Sequence, residues 1–448
     1  MRLTKDETQQ TVAVIGLGYV GLCLAATLAD RGQHVIGIDV TPERIDELNN
    51  GRPSLHEEGL RELVGDALAR GRLRVTTDYA AVSAADVVIV AVGTPVTEDG
   101  SLADTQLRSA CLSLSDHLRP GQQVVLKSTV PPGTTRELVL PLLERSGLTG
   151  GKDFLLSFSP ERLAEGTALR ELRTFPIVVG GIDERSTREA GEFWRRSLGV
   201  EVMPQDSLEA AEVVKLADNW WIDLNIALAN ELAKFCELFD VDVLDVIAAA
   251  NTIPKGSGNV NILLPSVGVG GSCLTKDPWM VWQSARRRGL DILTAPAGRA
   301  VNSGMPAHTA RLILDDLAAR RKDLTTATVA VLGLAFKNNT GDLRATPAHA
   351  VVEALAKEGV RVRVYDPLTD PAQVEALMQL KPAASLHEAV RGADCLAVLA
   401  LHREFEDLDF AKLPLADSCL VLDGRAYLPK EKIVAIRRLG YGYRGIGR

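Results

Sequence analysis

Aromatic residues are scarce in this 448-residue chain, only 4%, and cysteine is limited to six scattered positions. Cys23, Cys111, Cys236, Cys273, Cys395 and Cys419 form no CxxC pair and have no histidine at metal spacing, which argues against a disulfide framework and a structural zinc site. They read as reduced thiols, and no metal is expected. Positive charge is also short: 50 Lys and Arg against 58 Asp and Glu leave a net charge of -8, the wrong sign for gripping nucleic acid phosphates. Apolar runs such as Val87–Val92 are far below the roughly 20 residues that span a bilayer. The first ten residues, MRLTKDETQQ, hold no apolar signal segment. The expectation is a cytoplasmic protein with neither a membrane nor a nucleic acid as partner.

What is present is a globular composition, 46% hydrophobic and 24% charged, long enough for two or three domains. TVAVIG from Thr11 is a short β-branched run followed at once by a glycine turn and an apolar stretch at helical spacing through Leu28. His34–Val40 (HVIGIDV), Ala84–Pro95 (AADVVIVAVGTP) and Gln123–Gly133 (QVVLKSTVPPG) read as further strands, and strands alternating with helices imply a parallel sheet. The pattern returns near the carboxyl end. TVAVLGLAF (Thr328–Phe336) mirrors TVAVIGLGY, VRVYDP (Val362–Pro367) mirrors VIGIDV, and ADCLAVLAL (Ala393–Leu401) mirrors ADVVIVAV. Between the halves, Ser207 to about Asn251 has few Gly or Pro and apolar residues at three- and four-residue intervals, predicting a long helix with a break near Asp240. The fold class is therefore α/β, two doubly wound domains (1–205 and 320–448) joined by a central helical domain (206–305).

Gly16, Gly18 and Gly21 form GxGxxG directly after a strand and at the start of a helix. The first glycine permits a tight turn, the second lets backbone approach a pyrophosphate, and the third allows close helix packing at a helix terminus that attracts anions. Asp39 ends the next strand, about 20 residues on, where its carboxylate accepts hydrogen bonds from a ribose and repels a 2′-phosphate. That favours NAD, although Arg44 would suit the extra phosphate of NADP. The second half has GLAFKN where the first has GLGYVG, so Ala335 stands for Gly18. Lys337 and Arg344 instead bring two cations to a strand's carboxyl edge, suited to a diphosphate; a solvated charged loop is the plainer reading of the same residues.

Three more segments carry candidate chemistry. Cys273 follows three glycines in GVGGSCLTKDP, with Lys276 and Asp277 close behind, where a neighbouring lysine would stabilise a nucleophilic thiolate; a structural thiol is the alternative. Glu212, Lys215 and Asn219 share a helix face, either as an exposed ion-pair trio or, given the apolar neighbours in EVVKLADN, with Lys215 turned into a site. Thr129 in STVPPG and Glu161 and Glu165 in SPERLAEG sit in loops after strands, at cleft positions.

In order, GLGYVG, VGTP, KSTVPPGTT, FSPERLAEG, EVVKLADN, GVGGSCLTKDP and FKNNTGDLR resemble the nucleotide-sugar 6-dehydrogenases, the family of UDP-glucose, UDP-N-acetylmannosamine and GDP-mannose dehydrogenases, from about Thr11 to Leu422. The resemblance implies two Rossmann-like domains, NAD on the first and the nucleotide sugar on the last, with the long helix joining two subunits of a homodimer. It implies NAD contacts from the glycine loop with Tyr19 and Val20, and from Asp39, Arg44, Thr94, Thr129, Lys276 and Arg344. Contacts to the sugar nucleotide are implied for Lys337, for Asn261, Ile262, Leu263, Leu264 and Pro265, for Gly270, and for Glu161 and the loop around Leu163. Cys273 matches the nucleophile of a four-electron oxidation at C6, with Lys215, Asn219 and Asp277 as its helpers, Thr129 nearby and Glu165 between cofactor and sugar. PERLAEG keeps Glu165 where the glucose enzymes have a carboxylate, whereas the VNIL stretch is closer to the acetamido-sugar branch, which commonly has an Arg at the position of Asn259. The expected substrate is a nucleoside-diphosphate glucose, UDP ahead of dTDP, with UDP-N-acetylmannosamine as runner-up.

Overall fold

The structure is a computed structural model that describes residues 9–53, 55, 57–320 and 323–448; most of the polar amino-terminal segment read above, residues 1–8, lies outside them. Two compact units are present, one running up to Asp218 and including Gln283–Leu290, the other comprising Asn219–Trp282 and Asp291–Arg448.

The first unit is built on an eight-stranded sheet in the order β3-β2-β1-β4-β5-β6-β7-β8. Its strands are β1 (Thr11–Ile15), β2 (His34–Ile38), β3 (Leu73–Thr76), β4 (Val87–Val90), β5 (Gln123–Leu126), β6 (Leu155–Phe158), β7 (Ile177–Gly181) and β8 (Val202–Gln205). All neighbours are parallel except β6 and β7. Val12, Val14 and Ile89 face one core and Ala13, Ile15 and Val90 the other. Both faces of the central strands are thus covered, which is why they read as continuous apolar runs rather than alternating ones.

The second unit carries a five-stranded, wholly parallel sheet in which Thr328–Leu332 lies between Arg361–Tyr365 and Cys395–Val398, continued by Leu420–Asp423 and Gly442–Gly445. The internal repeat holds at the level of register: Ile15 pairs with Ile38 as Leu332 pairs with Tyr365, and Val12 with Val87 as Val329 with Cys395. The long helix runs from Leu208 to Glu237 and a second from Val243 to Ala250. The break falls at Asp240, whose φ of 55° cannot continue a right-handed helix, and Asp242 restarts the chain by accepting a hydrogen bond from the Leu244 amide. Among the described residues no helix is long and apolar enough to cross a membrane.

Candidate active site

The GxGxxG turn does in three dimensions what its spacing requires. Gly16 has φ of 90°, and a Cβ on Gly21 would sit 1.8 Å from the Gly16 carbonyl oxygen, so neither position accepts a side chain. Gly18 differs: it caps the Tyr19–Asp30 helix, and a Cβ there would meet nothing within 4 Å. Open space over a helix amino terminus is what a pyrophosphate needs, so these residues fit a dinucleotide. Asp39 is buried beside this turn. One of its oxygens accepts from the Leu17 amide at 2.8 Å and from Arg44 at 2.9 Å, the other from the Thr41 amide. Burial pushes its carboxyl upward, but the Leu17 and Thr41 amides and Arg44 outweigh it and leave the group below the usual range. Thr94 donates to the Thr129 carbonyl at 2.6 Å, both residues being buried.

In the same unit, Glu161 accepts from the Leu163 amide and pairs with Lys215 at 3.5 Å, both side chains at least nine-tenths buried. Behind this pair sits Lys127, which sequence reasoning missed. Its ammonium donates to the Pro160 carbonyl at 3.2 Å and lies over the Trp194 ring, and burial lowers its pKa to about 8. Glu57, also missed, accepts from the Tyr19 hydroxyl and from the Gly166 amide. It thereby ties the glycine turn to the loop that carries half-buried Glu165. Glu212 faces inward rather than joining an exposed trio with Lys215 and Asn219. It accepts from the Gly133 and Thr135 amides and the Thr135 hydroxyl, and burial raises its pKa to about 7.

The second unit collects the remaining candidates. Five cysteines are buried and Cys273 alone is half-buried. Burial pushes the thiols of Cys111 and Cys419 up to about 12, far from thiolate chemistry. Cys273 lies in the turn before the Asp277–Arg286 helix, its carbonyl accepting from the Lys276 and Asp277 amides. The Asp277 carboxylate is wholly buried, taking the Lys276 ammonium on one oxygen at 2.6 Å and the Asn219 amide on the other at 2.5 Å. The glycine loop packs on the FKNNTGDLR loop: a Cβ on Gly270 would lie 2.6 Å from the Cβ of Phe336, and the Gly271 amide donates to the Arg344 carbonyl. Arg344 itself forks onto Asp342.

A cavity of about 270 Å³ opens between these loops, lined by Leu264, Pro265, Gly270 and Lys337 together with Arg425 and Tyr427. Arg425 donates to the Phe336 carbonyl at 2.5 Å; it follows the Leu420–Asp423 strand, so the strand-edge argument that singled out Lys337 would have reached it. Asn261, Ile262 and Leu263 do not line the cavity. Their backbones are pinned to the long helix and its successor, Asn225 bonding Asn261 and Leu263, and Asn251 bonding Ile262. They set the course of the stretch that delivers Leu264 and Pro265.

Comparison with known proteins agrees with this division of labour. Models of the UDP-glucose/GDP-mannose dehydrogenase family match residues 10–197 (NAD binding domain), 209–304 (central domain) and 330–430 (UDP binding domain). The chain is 36% identical to a UDP-N-acetyl-D-mannosamine dehydrogenase of Methanocaldococcus jannaschii over 91% of this chain and 89% of that one. It is 34% identical to UDP-glucose 6-dehydrogenase AglM of Haloferax volcanii over 94% and 98%. A solved UDP-D-ManNAc dehydrogenase structure from Pyrococcus horikoshii superposes with a TM-score of 0.88 at 32% identity, covering 98% of this chain and 99% of the other.

Proposed function

Because the chain belongs to the UDP-glucose/GDP-mannose dehydrogenase family, whose NAD-dependent members oxidise nucleotide sugars at C6, we propose that it converts the primary alcohol of a UDP-linked hexose to a carboxylate, with Cys273 as nucleophile. The observation that carries this reading is Cys273 itself, the one half-buried thiol, set beside the Asn219–Asp277–Lys276 cluster.

NAD, when bound, supplies the hydride acceptor for each of the two oxidations, so two molecules serve in turn. Gly16, Gly18 and Gly21 would hold its pyrophosphate and Asp39 its ribose. In the first oxidation C6 loses hydride while its hydroxyl proton passes to a base, through a water near Asp277 or Lys215, leaving an aldehyde. The Cys273 thiolate then adds to the aldehyde carbon. A C–S bond forms, the carbonyl electrons move to oxygen, and Lys215 and Asn219 stabilise the oxyanion. Loss of the remaining C6 hydride gives a thioester. Water adds to it and the C–S bond breaks, forming the carboxylate, regenerating the thiolate and releasing two protons. Lys337 and Arg425 supply the positive charge for the diphosphate.

Among sugars, the residue pattern alone puts glucose first, but the relatives named for UDP-N-acetyl-D-mannosamine, identical at up to 36%, support that substrate ahead of UDP-glucose. UDP-glucose is kept as a second reading by Glu165 and by the Haloferax relative. Steady-state assays with UDP-N-acetylmannosamine, UDP-glucose and dTDP-glucose test the order, which is reversed if UDP-glucose has the highest kcat/KM.

The long helix supports a homodimer. Trp221, Leu228 and Phe235 recur every seven residues and are 49%, 52% and 57% exposed, an apolar stripe of the kind that one copy buries against another. Five buried reduced cysteines are in keeping with a cytoplasmic setting.

A further inference from the structure

The two sheets are built to one register, and the comparison it allows exposes a histidine with a task. In the first unit Thr94 stands four residues beyond β4, and Asp39 directly beyond β2 takes the Leu17 amide. At the matching places in the second unit stand His402, four residues beyond Cys395–Val398, and Asp366, which takes the Leu334 and Ala335 amides. The oxygen of Asp366 that accepts these amides also meets His402 Nε2 at 2.9 Å, where Asp39 instead holds Arg44. His402 is 1% exposed and Asp366 8%.

The other ring nitrogen fixes the tautomer. The backbone amide of Asn339 points at His402 Nδ1 from 2.8 Å. An amide can only donate, so Nδ1 accepts, the proton sits on Nε2, and Nε2 donates to Asp366. Asn339 needs such an anchor, for its φ is 57°. Around it the loop is tied again to the segment bearing His402: the Asn338 side-chain oxygen accepts from the Leu401 amide and the Tyr427 hydroxyl, and that of Asn339 accepts from the Arg403 amide. Lys337 lies on this loop, between Phe336, whose carbonyl holds Arg425, and Asn338.

We infer that His402 is a positioning residue for nucleotide-sugar binding: the relay from Asp366 through the imidazole to the Asn339 amide occupies the degenerate dinucleotide site of the second sheet and fixes the loop that presents Lys337 to the cavity. This rests on the reading of that cavity as the UDP-sugar site. It also explains why the second sheet, with its carboxylate engaged and Asn338 where Gly21 would be, has exchanged one ligand class for another.

His402→Phe tests it, because a phenyl ring keeps the planar shape but offers no acceptor to Asn339, while Asp366 keeps the Leu334, Ala335 and Leu368 amides. Calorimetric titration with UDP alone should show about tenfold weaker binding, NAD affinity should be unchanged, and KM for the nucleotide sugar should rise more than kcat falls. Amide exchange of the unliganded chain should quicken in residues 337–342 and not across the rest of the sheet. Asn338→Ala, which removes two tethers without touching the buried pair, should shift UDP affinity and loop exchange in the same direction. Unchanged exchange in that loop in both variants, or equal quickening throughout the unit, overturns the inference, and if His402→Phe does not fold, the Asn338→Ala result decides. If the parent chain itself fails to bind UDP, the assignment of the cavity falls, while the exchange data still decide the relay.

Discussion

Asn219 donates its side-chain amide to Asp277 at 2.5 Å, and the opposite oxygen of that buried carboxylate holds Lys276 at 2.6 Å. Asp277 therefore fixes an amide and a cation while contributing the negative charge that offsets the lysine, which keeps a buried charge cluster tolerable. Asn219→Ala leaves Asp277 one partner short and removes the proposed oxyanion donor. A fall in kcat of about 10²- to 10³-fold, with UDP binding retained, is expected in stopped-flow or steady-state assays.

Gly18 and Gly21 make a paired prediction. At Gly18 the backbone is extended, φ -66° and ψ -171°, and the space for a Cβ is open. Gly18→Ala should fold with a thermal midpoint near that of the parent chain and yet raise the KM for NAD by about tenfold or more, because the methyl group takes the room of the pyrophosphate. Gly21→Ala collides with the Gly16 carbonyl and should instead lower the midpoint or abolish soluble expression.

Glu212 links stability to pH. Its folded pKa of about 7 lies above the value near 4.3 of an unfolded glutamate, so between these values the native state binds the extra proton. Its contribution to stability is full below pH 4 and is lost as pH rises through 7, on the order of 3 kcal/mol in total. Measured against Glu212→Gln, the parent chain should therefore lose relative stability between pH 5 and pH 8 in urea titrations. A constant difference across that range contradicts the assignment.

Three features of this protein were readable from residues alone. The glycine turn and the break at Asp240 depend on backbone geometry within a few residues, and Asp39, 22 residues from Leu17, follows from the regular length of a strand–turn–helix–strand unit. Lys127 and Glu57 were not readable, whereas Arg425 lay within reach of the strand-edge argument. Lys127 meets Pro160 and Glu57 meets Gly166, partners distant in sequence that only the fold brings together. The NILLP stretch shows the same limit: all five residues attract attention as a run, yet two line the cavity and three are held by Asn225 of the long helix and by Asn251. Glu212 was legible as a position on the helix, whereas its inward direction depended on where β5 ends.

The apolar stripe on the long helix gives a test of assembly. Phe235→Asp places a charge on the exposed face, at the carboxyl-terminal end of the stripe, without touching the cavity or the glycine turn. Light scattering should report about 48 kDa for this variant and twice that for the parent chain; equal masses remove the stripe from the interface.

The most direct test of the account is to quench the enzyme in acid during slow turnover, as in Lys215→Ala with UDP-N-acetylmannosamine or UDP-glucose and excess NAD, and to weigh the peptide that contains Cys273. The account predicts that this peptide carries the mass of the sugar nucleotide as a thioester, and that the parent enzyme releases two NADH per uronate. An unmodified peptide while the acid continues to form contradicts it.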